Sequence, residues 1–124
     1  MPTSPAFPYA RGVDTSDLRD LVEISEGEIV RKTLFESEHL WSQVISVDRN
    51  RSYGPVSDPQ ADAMLTIVAG EAVFLVDKRR KRMKQWGSVM VPAGAEVVVT
   101  NASPDPLVLL MVTAPPPLPR ETSG

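Results

Sequence analysis

The sequence predicts an all-β protein folded as a sandwich or barrel, and three observations carry that prediction. Seven short segments are rich in β-branched or large apolar residues, each is bounded by Gly, Pro, Asn, Asp or Ser, and they follow one another closely from residue 29 to residue 113. Only one stretch ahead of them reads as helical.

That stretch is short. Ser16 is placed to cap a turn over residues 17–22, in which Leu18, Leu21 and Val22 share a face. The strands are expected at 29–35, 40–47, 64–68, 72–76, 88–91, 96–101 and 107–113. Two of them contain VVVT and LVLLMV, apolar on nearly every residue, so both of their faces should be covered. One face meets the barrel interior and the other a second sheet or a second subunit. A homodimer is the expectation, and a monomer covered by its own chain is the alternative.

Prolines crowd both ends, at Pro2, Pro5 and Pro8 and again at Pro115, Pro116, Pro117 and Pro119, where fixed φ and missing amide donors resist regular structure. Residues 1–10 therefore read as an arm, 11–114 as a single barrel domain and 115–124 as a tail. A chain of 124 residues is long enough to bury one core. Its net charge of -3 gives no reason to expect nucleic acid or membrane as a partner of the whole molecule. The absence of cysteine excludes disulfides, thiolate metal sites and thiol nucleophiles. The N-terminus MPTSPAFPYARG has no apolar core of signal-peptide length, and no run approaches the roughly 18 apolar residues of a spanning helix. A cytoplasmic location is the default expectation.

Two segments in this order, DPQADAMLTIVAGEAVFLV and GSVMVPAGAEVVVTNASPDPLVLLMVTAPP, resemble the two motifs of the cupin superfamily, small β-barrels of jelly-roll type. The resemblance covers about residues 40 to 116 and implies a cupin-type jelly roll preceded by the short helix or turn. In the second motif of metal-binding cupins a Gly opens the strand and a Pro-x-Gly turn follows. A His ligand comes three residues after that turn's Gly, and an Asn four residues further on. Gly87, Pro92, Gly94 and Asn101 match these backbone positions, and Val97 stands where the His would be. The first motif reads His-x-His, then a Glu ligand, then a Gly seven residues beyond it. Counting back from Gly70 puts Ala63 at the Glu position and Val56 and Asp58 at the two His positions; the shorter spacing would put Ser57 and Pro59 there instead.

The scaffold residues match and the ligand residues do not. A transition-metal site needs three or four donors converging on the ion, and Asp58 alone cannot supply them. The resemblance therefore does not extend the family's metal-dependent dioxygenase, isomerase or decarboxylase chemistry to this chain. No metal and no cofactor are expected.

Strand alternation then gives a candidate pocket. If positions 56, 58, 63 and 97 point inward, Leu65, Ile67 and Val99 join them, and Trp41, Gln43, Phe74 and Met111 are candidates for the rest of the wall. The result is an apolar cavity with Asp58 near its mouth, suited to an apolar or mixed small molecule. The alternative is a barrel filled by its own side chains.

Other chemistry-bearing residues are few. His39, the only histidine, lies in FESEHLW and is a candidate general base; beside Glu36 and Glu38 it reads equally as a surface residue. Asp58 with Tyr53 is the one acid–base pair that can be placed near the cavity. KRRKRMK at 78–84 holds six of the thirteen basic residues, which invites an anion-binding reading. Its place in the resemblance is a hairpin after the Phe74 strand, where charge is solvated and discourages edge-to-edge association. Only Trp86 is near enough to stack on a base, so nucleic acid is not the expected partner.

Three functions stay open at this point. The first is a metal-independent small-molecule-binding or regulatory protein. The second is a metal-independent isomerase, epimerase or cyclase using Asp58, Tyr53 or His39 for proton transfer. The third is a ligand-free interaction subunit.

Overall fold

The computed structural model describes residues 13–117. The arm expected over residues 1–10, and the tail beyond Pro117, lie outside the described residues.

The expected N-terminal helix is a single 3-10 turn, Leu18–Leu21, and its cap is Asp17 rather than Ser16. The Asp17 carboxylate accepts from the Arg19 backbone N–H at 2.9 Å and from the Arg19 guanidinium at 2.7 Å. Val22 is already extended, so the turn stops where propagation would have had to begin. Paired with Arg19, the exposed Asp17 carboxyl is lowered to a pKa of about 2.

Nine strands follow: β1 (Ile29–Glu36), β2 (Trp41–Val47), β3 (Ser52–Val56), β4 (Asp62–Ala69), β5 (Glu71–Val76), β6 (Arg79–Lys84), β7 (Ser88–Val91), β8 (Val97–Asn101) and β9 (Leu107–Ala114). All seven expected strands are present. The sequence reading lacked β3, and it treated β6 as part of a charged hairpin. Both are reached through special backbone. Asp77 and Lys78, between β5 and β6, have φ of 47° and 72°, the pair of positive values that a tight primed hairpin turn requires. Gly54 in β3 has φ of 109°, and a Cβ there would lie 2.5 Å from the Val97 carbonyl oxygen. Glycine is what lets β3 kink against β8.

The strands form two antiparallel sheets, β1-β2-β9-β4-β7 and β3-β8-β5-β6, the jelly-roll sandwich that the sequence predicted. Alternation sorts their faces. Ile45, Val47, Leu65, Ile67, Phe74, Val99, Leu107 and Leu109 point between the sheets and are wholly buried. Asn101 closes one end of the interior: its Nδ2 donates to the carbonyls of Val47 and Asp105, and its Oδ1 accepts from the Ser103 N–H. Its role there is to hold the β8–β9 turn.

Strand β2 is buried on both faces although it carries Ser42, Gln43 and Ser46, whereas β8 and β9, the strands expected to be covered on both faces, are only partly buried on their outer sides. On its outer side Ser46 Oγ accepts from the Glu23 N–H, and Glu23 also pairs with Lys32, so the segment before β1 lies along that half of the sheet. The other half of the same outer face is bare: Met64 and Met90 are cross-strand partners and are 41% and 64% exposed. Among the described residues no helix is long and apolar enough to cross a membrane.

Candidate functional site

Sheet register places the site. Across the five-stranded sheet, Val91, Ala63, Thr113 and Trp41 form one inward-facing row. Val89, Leu65, Met111 and Gln43 form the next, and Ile67, Leu109 and Ile45 the one after, with Arg31 beside Ile45 on β1. In the facing sheet Val56 pairs with Val97, and Tyr53 with Val99. A cavity of about 240 Å³ opens at the end of the barrel where the first row lies.

The four positions at which the cupin motifs carry metal ligands all line this one cavity: Val56, Asp58, Ala63 and Val97. They come from β3, the loop after it, β4 and β8, so the fold brings together what the sequence separates by up to 41 residues. Trp41, Gln43 and Met111 also line it, as alternation suggested. Leu65, Phe74 and Val99, expected on the wall, are not there. They are fully buried one row deeper and fill the barrel below the cavity. His39 lies on the exposed β1–β2 connection, outside the cavity, because the strand that follows it turns Trp41 inward and leaves the turn in solvent.

Two loops make the rim. Gly94 N–H donates to the Asp58 carbonyl at 2.8 Å, and Ala93 N–H donates to the Asp62 carboxylate at 2.8 Å, tying the 57–61 loop and the start of β4 to the Pro92–Ala95 turn. The Asp58 carboxylate itself accepts from the Gln60 N–H at 2.9 Å, the local turn that an Asp-Pro sequence favours. Tyr53, 5% exposed, donates its hydroxyl to Met111 Sδ at 3.6 Å. Among the described residues the expected Asp58–Tyr53 pair is therefore not formed, since each group is engaged elsewhere. Burial pushes the Tyr53 phenol above its ordinary pKa, against the opposing pull of the Arg31 charge. The phenol is thus a hydrogen-bond donor across the physiological range.

Of the polar residues on the wall, Gln43, Tyr53 and Asp58 were named from the sequence, and Arg31 and Thr113 were not. Arg31 lies 5.6 Å from the centroid of the Tyr53 ring, and its Nε donates to Gln43 Oε1 at 3.2 Å. Nothing in the β1 sequence marks Arg31 as inward, because its facing depends on the Ile29–Val47 register. Thr113 was legible: it stands two residues beyond Met111 on one strand and so shares its face. Ala61, Val91 and Ala95 add to the apolar lining.

The donor set does not fit a metal ion. Val56, Ala63 and Val97 carry no donor atoms, and among the described residues no three His, Asp or Glu side chains are grouped as a metal would need.

No family model matches the chain, and no curated protein does. Solved structures do. The protein TT1209 from Thermus thermophilus is 25% identical, with a TM-score of 0.80 over 85% of this chain and 100% of that one. An uncharacterized conserved protein with a double-stranded β-helix domain from Klebsiella pneumoniae is 19% identical, with a TM-score of 0.77 over 84% and 91% of the two chains. A cupin superfamily protein from Desulfitobacterium hafniense is 22% identical, with a TM-score of 0.69 over 86% and 93%.

Proposed function

The chain is a small domain of the cupin fold, and we propose that it is a small-molecule-binding or regulatory protein that works without a catalytic metal, through the cavity at the open end of its barrel. One observation carries the reading. The four metal-ligand positions of the motifs converge on a single cavity, and three of them hold apolar side chains, Val56, Ala63 and Val97. A site that keeps its shape while its donors become hydrocarbon favours an organic ligand over an ion. The proton-transfer enzyme is the less supported reading, because His39 lies outside the cavity and Asp58 is held by its own turn.

Two measurements test this. Metal analysis of the purified protein is expected to find no stoichiometric iron, manganese, zinc or nickel; such a metal bound through the cavity would overturn the claim. Benzamide and hexanamide, small uncharged probes, are expected to shift the methyl resonances of Val56, Ala63 and Val97. No shift with either amide or with the corresponding acids, benzoate and hexanoate, would instead favour a barrel that binds nothing and serves as an interaction subunit.

We also propose that the protein is a homodimer, on the bare apolar half of the outer sheet face around Met64 and Met90.

A further inference from the structure

The polar groups lining the cavity are poorly matched to one another, and the mismatch has a direction. Thr113 is 4% exposed, yet its Oγ1 has no hydrogen-bond partner among the described residues. Gln43, 2% exposed, directs its Nε2 at Met111 Sδ at 3.7 Å, and the Tyr53 hydroxyl directs its proton at the same sulfur at 3.6 Å. Two buried donors thus share one thioether, a weak acceptor, while a third polar group has nothing. Buried polar groups are ordinarily paired, so three under-satisfied ones on one cavity wall need an explanation.

The orientation of Gln43 is fixed by its neighbour. Its carbonyl oxygen is taken by Arg31 Nε, which leaves its NH₂ group on the cavity side. The guanidinium of Arg31 has donors beyond that one bond, and among the described residues it forms no ion pair. Arg31, Gln43, Tyr53 and Thr113 all line the cavity. The inner wall therefore offers a guanidinium, an amide NH₂ and two hydroxyls, and the acceptor that its amide and its phenol share is a thioether sulfur. The one carboxylate lining the cavity, Asp58, accepts from the Gln60 N–H in the rim loop. Among the described residues no hydrogen bond or ion pair joins Asp58 to Arg31, Gln43, Tyr53 or Thr113, so these four have no charged oxygen acceptor of their own.

We infer that the cavity takes a small apolar carboxylic acid, its carboxylate held by Arg31, Gln43, Tyr53 and Thr113 and its hydrocarbon against the Val56, Ala63 and Val97 side. A carboxylate brings two oxygens with about four acceptor sites, enough for the donors that now converge on one sulfur. Hydrogen bonds from a guanidinium to a carboxylate are charge-assisted and about twice as strong as neutral ones. Size limits the choice: about 240 Å³ is the space of roughly eight water molecules, room for one ring or a short chain and not for a nucleotide or a lipid. This inference rests on the reading of the cavity as a ligand site, and its test separates the two.

The experiment titrates the full chain with benzoate and hexanoate and, in parallel, with the isosteric uncharged benzamide and hexanamide, followed by NMR shifts and calorimetry. At least one acid is expected to bind ten times or more tighter than its amide. Arg31→Gln, a change at an exposed residue, is expected to bring the ratio of acid to amide affinity down to about one, whichever way the amide affinity itself moves. Thr113→Val, which keeps shape and removes the hydroxyl, is expected to weaken the acid several-fold and by more than it weakens the amide. Equal binding of acid and amide, or an acid preference that survives Arg31→Gln, would overturn the carboxylate assignment and leave the cavity as a ligand site. Binding of neither class would overturn both.

Discussion

Individual side chains decide what this barrel can do, and Val56, Ala63 and Val97 are the decisive ones. If they truly occupy the positions of a lost metal site, restoring donors should restore the site. The triple variant Val56→His, Ala63→Glu, Val97→His, with Asp58 retained, is expected to hold about one equivalent of Zn²⁺ or Co²⁺ after dialysis, where the parent holds none. Cobalt absorption reads the coordination directly. A folded variant that binds nothing would mean that the four side chains do not converge. Tyr53 gives a second prediction at this scale. Its phenol is raised above 10.0 by burial, so the folded protein keeps that proton at pH values where the unfolded chain has lost it. A group with a raised folded pKa contributes fully below its unfolded value, and the contribution falls as pH climbs through the folded one. The wild type should therefore lose stability above about pH 10 more steeply than Tyr53→Phe, by at most about 1.4 kcal/mol per pH unit. Urea titrations of both proteins at pH 9, 10 and 11 measure the difference; parallel curves would show that Tyr53 is not kept from ionising.

Strands and turns were legible in the sequence in proportion to how far hydrophobicity shaped them. VVVT and LVLLMV declare themselves by their continuous apolar character, although Leu110 and Val112 lie on the bare half of the outer face, and the cavity positions Val56, Asp58, Ala63 and Val97 came from the motif count on Gly70, Gly94 and Asn101 that the cupin resemblance implies. Strand β3, SYGPV, was hidden because its Gly and Pro are the residues that normally end strands; here they shape the kink against Val97. Strand β6, RRKRMK, was hidden because an edge strand needs no apolar face beyond Met83, and its charges keep the edge from pairing with another chain. Arg31 was hidden for a different reason: register between β1 and β2 is a long-range property that no local pattern encodes. Among the turns, Gly70 makes the strictest demand. Its φ is 94°, and a Cβ would meet the Pro106 carbonyl oxygen at 2.7 Å. Gly70→Ala is thus expected to cost about 1–3 kcal/mol in urea denaturation, whereas at Gly94, with a similar φ of 88° but nothing within 4 Å, the same change should cost less. Equal losses at the two sites would assign the cost to φ alone and not to the close approach.

At the scale of the whole molecule, the two halves of the five-stranded sheet's outer face are unequal. The segment before β1 lies over the β1–β2 side, and there Val44 is only 1% exposed. On the β9-β4-β7 side, Met90, Met64 and Val112 form a cross-strand row, and the row beside it holds Ser88, Thr66 and Leu110. No charged residue interrupts either row, and Thr66 and Ser88 satisfy each other's hydroxyls at 2.7 Å. A surface of this kind has no charge pattern with which to choose a foreign partner. It is uncharged along these two rows, largely apolar and able to face its own image across a two-fold axis. Light scattering at micromolar concentration is expected to give the mass of two chains of 13.5 kDa. The double variant Met64→Lys, Met90→Lys should shift that mass to one chain, because it sets four like charges against each other across the two-fold axis, while leaving thermal unfolding cooperative. A dimer that survives the double variant would move the interface elsewhere, and a monomeric wild type would leave this face bare in solution. The cavity opens between the sheets and not on their outer face, so monomer and dimer should bind benzoate alike if dimerisation and ligand recognition are independent.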